Sequence, residues 1–136
     1  VIKLRSGEMI AMNVVSFLLQ SILVLIFLLA GNGKVSGYPM HVESFKRWRL
    51  PQWFRVVTGV VQLVGAAALI IGYWEPSWTA AGALLLGFVA IGGVLTHLRV
   101  KDNFYQTSTI FIIGLIAFVL FFLNMSALSH FPGFGG

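Results

Sequence analysis

The fold expected of this chain is all-α: a bundle of four transmembrane helices with a short amphipathic interfacial segment in the first loop. Three observations lead there. Hydrophobic residues make up 58% of the 136 positions and charged residues only 10%, too few to dress the surface of a water-soluble domain. The apolar residues collect in four runs, each close to the roughly 20 residues a helix needs to cross a bilayer. In hydrocarbon a backbone must satisfy its own hydrogen bonds, so such runs are helices. This composition excludes a soluble enzyme and a disordered chain. The net charge of +5, on so apolar a sequence, points to anionic lipid and away from nucleic acid.

The spans are expected at residues 9–30, 52–73, 77–98 and 107–128, within a single domain covering 1–136. Gly31, Gly33 and Gly37 follow the first run as terminators, while Pro51 and Pro76 stand where helices start and a missing N–H costs little. The chain opens at Val1, and residues 1–8 carry little weight in this reading. Between the first two spans, Val42, Phe45 and Trp48 recur at helical spacing beside Lys46, Arg47 and Arg49. That pattern predicts a short helix lying in the interface, aromatic side in the acyl boundary and bases toward phosphates. Phe45, Lys46, Arg47, Trp48 and Arg49 are therefore expected to contact lipid or to dock a partner.

Four spans put both termini on one side. Lys34, Lys46, Arg47, Arg49, Arg55, Arg99 and Lys101 fall in or beside the first and third loops, against Lys3 and Arg5 on the other side. Seven basic residues against two make those loops cytoplasmic and the termini extracytoplasmic.

Polar side chains inside a span are costly unless they face the bundle, so they mark its interior. Asn13, Gln20, Phe27 and Lys34 recur every seven residues in the first helix, and Arg55, Gly59 and Gln62 share a face of the second. Ala83, Ala90, Gly93 and His97 form a stripe in the third; Thr109, Ile113, Ala117 and Asn124 line up in the fourth, with Tyr105 just before it. Depth then sorts them. Lys34, Arg55, His97 and Tyr105 belong to the cytoplasmic level, and Gln62 lies about 10 Å deeper than Arg55 at 1.5 Å per residue. Together they predict a basic cup with an amide floor, suited to a quinone carbonyl or an anionic headgroup. Asn13 and Gln20 are expected to serve as helix–helix glue.

Other chemistries fail on inventory. With no cysteine, thiolate clusters, disulfide relays and cysteine nucleophiles are out. A b-type haem needs two histidines facing each other within a bundle, whereas His41, His97 and His130 occupy a loop, a helix end and the opposite side. No metal site is expected for the same reason. None of Glu8, Glu43, Glu75 and Asp102 lies inside a span, so a buried carboxylate proton relay is missing.

Ala30-Gly31-Asn32-Gly33-Lys34 at the end of the first helix, Gly59-Val60-Val61-Gln62-Leu63-Val64-Gly65-Ala66 in the second and Thr96-His97-Leu98 closing the third resemble the DoxX-like family of small four-helix membrane proteins. The resemblance runs from about Asn13 to Asn124, and its polar signature matches Lys34, Gln62 and His97. Many members carry Glu where this chain has Gln62, which puts proton handling there in doubt and leaves hydrogen bonding intact. The family takes its name from the membrane subunit of a thiosulfate:quinone oxidoreductase; other members are associated with quinone resistance, with complexes containing superoxide dismutase and, in animals, with receptor assembly. The resemblance thus implies a bacterial plasma-membrane protein tied to quinone or redox metabolism, at most a subunit of an oxidoreductase. On that expectation it holds no cofactor of its own, and its cup takes a quinone or an anionic headgroup as ligand. Expected partners are membrane lipids, a soluble or membrane redox protein, and a second copy of the chain. The alternative is a scaffold that recruits its partner through the basic first loop.

Overall fold

The computed structural model describes residues 6–130, leaving out the His130 side chain. Lys3 and Arg5, counted above for orientation, lie outside the described residues. The chain forms α1 (Ser6–Ser36), α2 (Pro39–Arg47), α3 (Gln52–Ile71), α4 (Pro76–Arg99) and α5 (Phe104–Asn124), followed by a 3-10 turn over Met125–His130. Four helices are long and apolar enough to cross a membrane: α1, α3, α4, and α5 with its following turn. The protein is a multi-pass, all-α membrane bundle, and α2 is the short segment of the first loop.

The helix ends follow local chemistry. Pro39 and Pro76 begin α2 and α4, Pro51 precedes α3, and the Asn103 side chain caps α5 by accepting from Gln106 N at 2.8 Å. Helix α1 runs beyond residue 30 to Ser36, because Gly31 and Gly33 are packing positions rather than terminators. A Cβ on Gly31 would meet Gly59 O at 2.9 Å, and one on Gly59 would meet Gly31 O at 2.9 Å, so α1 and α3 cross backbone to backbone there. The break comes at Gly37, whose φ of +77° is the left-handed conformation glycine tolerates.

In space α1 packs on α3, α3 on α4, α4 on α5, and α5 returns to α1. Leu23, Phe27, Ala66, Leu69, Ala83, Leu86, Ala117 and Leu120 form the core between them. Large apolar side chains such as Leu25, Leu29, Phe88, Leu95, Phe111 and Phe122 point outward, as they must when the solvent is lipid. Away from the α2 end, polar side chains fasten the helices: Gln20 Nε2 donates to Leu69 O at 2.7 Å, and Asn124 Nδ2 donates to Ser16 Oγ at 2.9 Å. Asn13, expected beside Gln20, is exposed.

Candidate functional site

Helix α2 lies across the end of the bundle where α1 and α4 finish and α3 and α5 begin. Its amphipathic face is the one the spacing anticipates, yet it turns the other way. Phe45, expected against the acyl boundary, is buried at 3% exposure, with ring centroids 5.2 Å from Trp48 and 6.4 Å from Phe54. A four-helix ring at this end encloses more space than its own side chains fill, and the aromatic face of α2 covers it. Phe45 is therefore a buried wall of a cavity rather than a lipid contact, and half-buried Trp48 lines the same cavity.

That cavity measures about 400 Å³. Apolar groups from all five helices line it, among them Phe27, Phe45, Val89 and Ile110, and besides Thr58 and Thr96 the polar side chains of Lys34 of α1, Gln62 of α3 and His97 of α4 reach it. A mostly apolar cavity with a few converging polar groups is the usual form of a small-molecule site. The positions chosen by depth thus meet, with two exceptions. Tyr105 is 79% exposed and points away from the bundle. Arg55 turns to the end of α1, donating from Nη1 to Lys34 O and from Nε to Gln52 Oε1 (2.7 Å), where its charge meets the helix's partially negative C-terminus. It is a clamp on α1, and neither residue lines the cavity.

Among the described residues, Gln62 makes no hydrogen bond; its Oε1 is fully buried without a partner, and the side chain is only 7% exposed. Such an orphan costs on the order of 1–3 kcal/mol. Lys34 Nζ has no hydrogen-bond partner there either. The hydroxyls at the cavity wall are occupied: Thr58 donates to Phe54 O and Thr96 to Gly92 O.

The chain's own polar network is centred on a residue set aside for lying outside every span. Asp102 Oδ2 is 2.7 Å from His97 Nδ1 and accepts from Trp48 Nε1 and Arg47 Nη2, each at 3.4 Å. Arg99 reaches back to Trp48 O, so the α4–α5 loop holds α2 in place twice over. Desolvation raises the Asp102 pKa, but the hydrogen bonds from His97 and Trp48 and the charge of Arg47 outweigh it, leaving the carboxyl below its ordinary value. His41 on α2 is held below its ordinary pKa first by burial and then by the charges of Lys34 and Arg55. Of the remaining basic residues on this face, Lys46 stands 4.0 Å from Glu43 in an exposed pair and Arg49 is exposed.

The sequence from residue 18 to 127 matches the DoxX-like family. The chain belongs to that family. A relative in Bacillus subtilis (strain 168), named "Uncharacterized protein YdgD", is 34% identical over 79 residues, which cover 57% of this chain and 68% of the relative. No solved structure matches it. The family match takes in α1 from residue 18 onward, the whole of α2 to α5 and the first half of the closing turn, so the cup and its α2 cover both lie within it.

Proposed function

We propose that this DoxX-like protein binds a quinone-type headgroup in the membrane, presenting it to a partner that carries the redox centre. The carrying observation is the Gln62 amide: buried, without a hydrogen bond, on the wall of a cavity that Lys34 and His97 also reach. A bound hydroxyl donates to the orphaned Oε1, and a bound carbonyl accepts from the same amide's Nε2. Lys34 serves the second oxygen, while Phe45, Trp48 and Phe54 offer faces to an aromatic ring. A phosphate headgroup suits the site less well, since it needs several donors at once and these walls are mainly apolar. With the basic residues of α2 and the α4–α5 loop gathered at one end, the cup belongs on the cytoplasmic side.

The rival reading is a scaffold in which these polar groups are interhelical glue and the basic face of α2 recruits a partner. Gln20 shows what glue looks like here, donating to Leu69 O across to α3, and Gln62 makes no such contact. Arg47 and Arg99, moreover, are spent on holding α2 down.

The test is equilibrium binding of trimethylbenzoquinone and trimethylhydroquinone to the purified protein in lipid nanodiscs. Saturable binding of either, weakened about tenfold or more by Gln62→Leu as loss of a buried hydrogen bond would do, supports the site. Absence of binding, with partner capture abolished by Lys46→Glu and Arg49→Glu, supports the scaffold.

A further inference from the structure

We propose that Asp102 decides which oxidation state the cup prefers: it holds His97 with a proton on Nδ1 and a bare Nε2, so a hydroxyl-bearing dihydroxyarene binds better than the corresponding quinone. This rests on the quinone-type reading above and adds a direction to it.

The argument begins with backbone geometry. Helix α4 ends in a Schellman turn: Lys101, at φ 55°, donates its N–H to Leu98 O, and Asp102 donates its N–H to His97 O at 2.9 Å. In that turn the two residues joined by the longer bond are brought side by side, and an apolar pair often fills the place. Here the pair is an imidazole and a carboxylate, 2.7 Å apart.

The direction of that hydrogen bond follows from what else Asp102 does. Its Oδ2 already accepts from Trp48 and Arg47, and Gln106, with its amide nitrogen turned to the carboxylate, adds a donor at 2.9 Å. A carboxylate ringed by donors has no proton to give, so His97 Nδ1 is the donor. In the neutral ring Nε2 is then a lone pair, and it has no partner among the described residues. His97 lines the cavity with its ring 5.0 Å from that of Trp48, and Nε2 is the ring nitrogen left for a ligand there.

A quinone offers only acceptors and sets a carbonyl lone pair against that nitrogen. A hydroquinone donates an O–H to it. Lys34 and the Gln62 amide, which between them can serve an oxygen in either state, add affinity without discriminating. Asp102 is thus a positioning residue that acts through His97.

The experiment uses the full chain in nanodiscs under nitrogen at about pH 8. Affinities for trimethylhydroquinone and trimethylbenzoquinone are measured for the wild type, Asp102→Ala and His97→Leu. The hydroquinone is expected to bind at least about tenfold tighter to the wild type, which raises the bound couple's two-electron midpoint by about 30 mV. In Asp102→Ala the ring loses the acceptor that keeps its proton on Nδ1, so the preference falls to about one; in His97→Leu it vanishes. Nitrogen NMR of labelled histidine reads the tautomer directly, without relying on any variant's folding. A wild-type ratio of one or below, a His97 ring carrying a proton on Nε2 (as the other tautomer or as imidazolium), or a ratio unchanged in Asp102→Ala overturns the inference while leaving the quinone-type reading standing. If neither form binds, both fall.

Discussion

His97 and Asp102 are joined twice, by a 2.9 Å backbone bond that closes the end of α4 and by a 2.7 Å contact between their side chains. The same turn therefore ends a membrane helix, fixes an imidazole at a cavity wall and supplies the carboxylate that fastens α2 over it. Helix α2 ends in a turn of the same kind, with Arg49 at φ 59° and Leu50 N donating to Phe45 O at 2.9 Å, which sets Phe45 and Leu50 together against the cavity.

Both turns put a basic residue where glycine is usual. A left-handed conformation costs an L-residue roughly 1–2 kcal/mol, partly offset by the greater freedom glycine loses on folding. Lys101→Gly is accordingly expected to stabilise the protein by about 0.5–1 kcal/mol, while Lys101→Val, β-branched, destabilises it. Denaturation midpoints in mild detergent measure both. A Lys101→Gly variant less stable than the wild type would show that the Lys101 side chain contributes more than its backbone costs.

The two glutamines of the bundle should respond in opposite directions. Gln20→Leu removes the bond to Leu69 O and is expected to cost about 0.5–1.5 kcal/mol. Gln62→Leu removes a buried amide that has no partner and is expected to leave stability unchanged or raise it by about 1 kcal/mol in ligand-free protein. Substantial destabilisation by Gln62→Leu would restore that residue to the role of glue.

Acid should weaken the α2 end in two stages. His41 and Asp102 both have folded pKa values below their ordinary 6.5 and 3.8, so each binds protons less readily when folded. For either group the stabilisation is complete above the ordinary value and is lost as pH falls through the folded one. Stability is expected to fall first below about pH 6.5 through His41 and again below about pH 4 through Asp102. Thermal scans across that range check it: His41→Gln should flatten the first decline and Asp102→Asn the second.

The sequence makes the four-helix architecture legible because lipid imposes one rule on every span, and a run of apolar residues shows it without knowledge of neighbours. Lys34, Gln62 and His97 are legible for the same reason, being polar groups at one end of the bundle, with Gln62 as the deeper floor. What escaped was direction. Arg55 shares a helical face with Gln62, but its length lets it bend to the end of α1, and Phe45 sits on an aromatic stripe that fits lipid as well as it fits a cavity. Asp102 escaped because an acid outside a span draws no attention. The signal was nevertheless present in the five-residue interval from His97 across a helix end, which a Schellman turn closes. Gly31 and Gly33 misled in the opposite sense, since a glycine that ends a helix and one that lets two helices touch look alike in one dimension.

That last distinction can be tested at Gly59. A Cβ there would lie 2.8 Å from Lys34 Cβ and 2.9 Å from Gly31 O, and the backbone oxygen cannot swing aside as a side chain can. Gly59→Ala is therefore expected to push α1 from α3 and cost about 1–3 kcal/mol, even though alanine is the better helix former. Gly92, on α4, has nothing within 4 Å of the same position, and Gly92→Ala should be neutral or stabilising by up to about 1 kcal/mol. Because Lys34 and Gln62 flank the α1–α3 crossing, Gly59→Ala should also widen the cup and weaken ligand binding. Equal stability for the two variants would mean that the helices separate freely at this point, and the crossing would no longer explain how the polar side chains of the cup are held together.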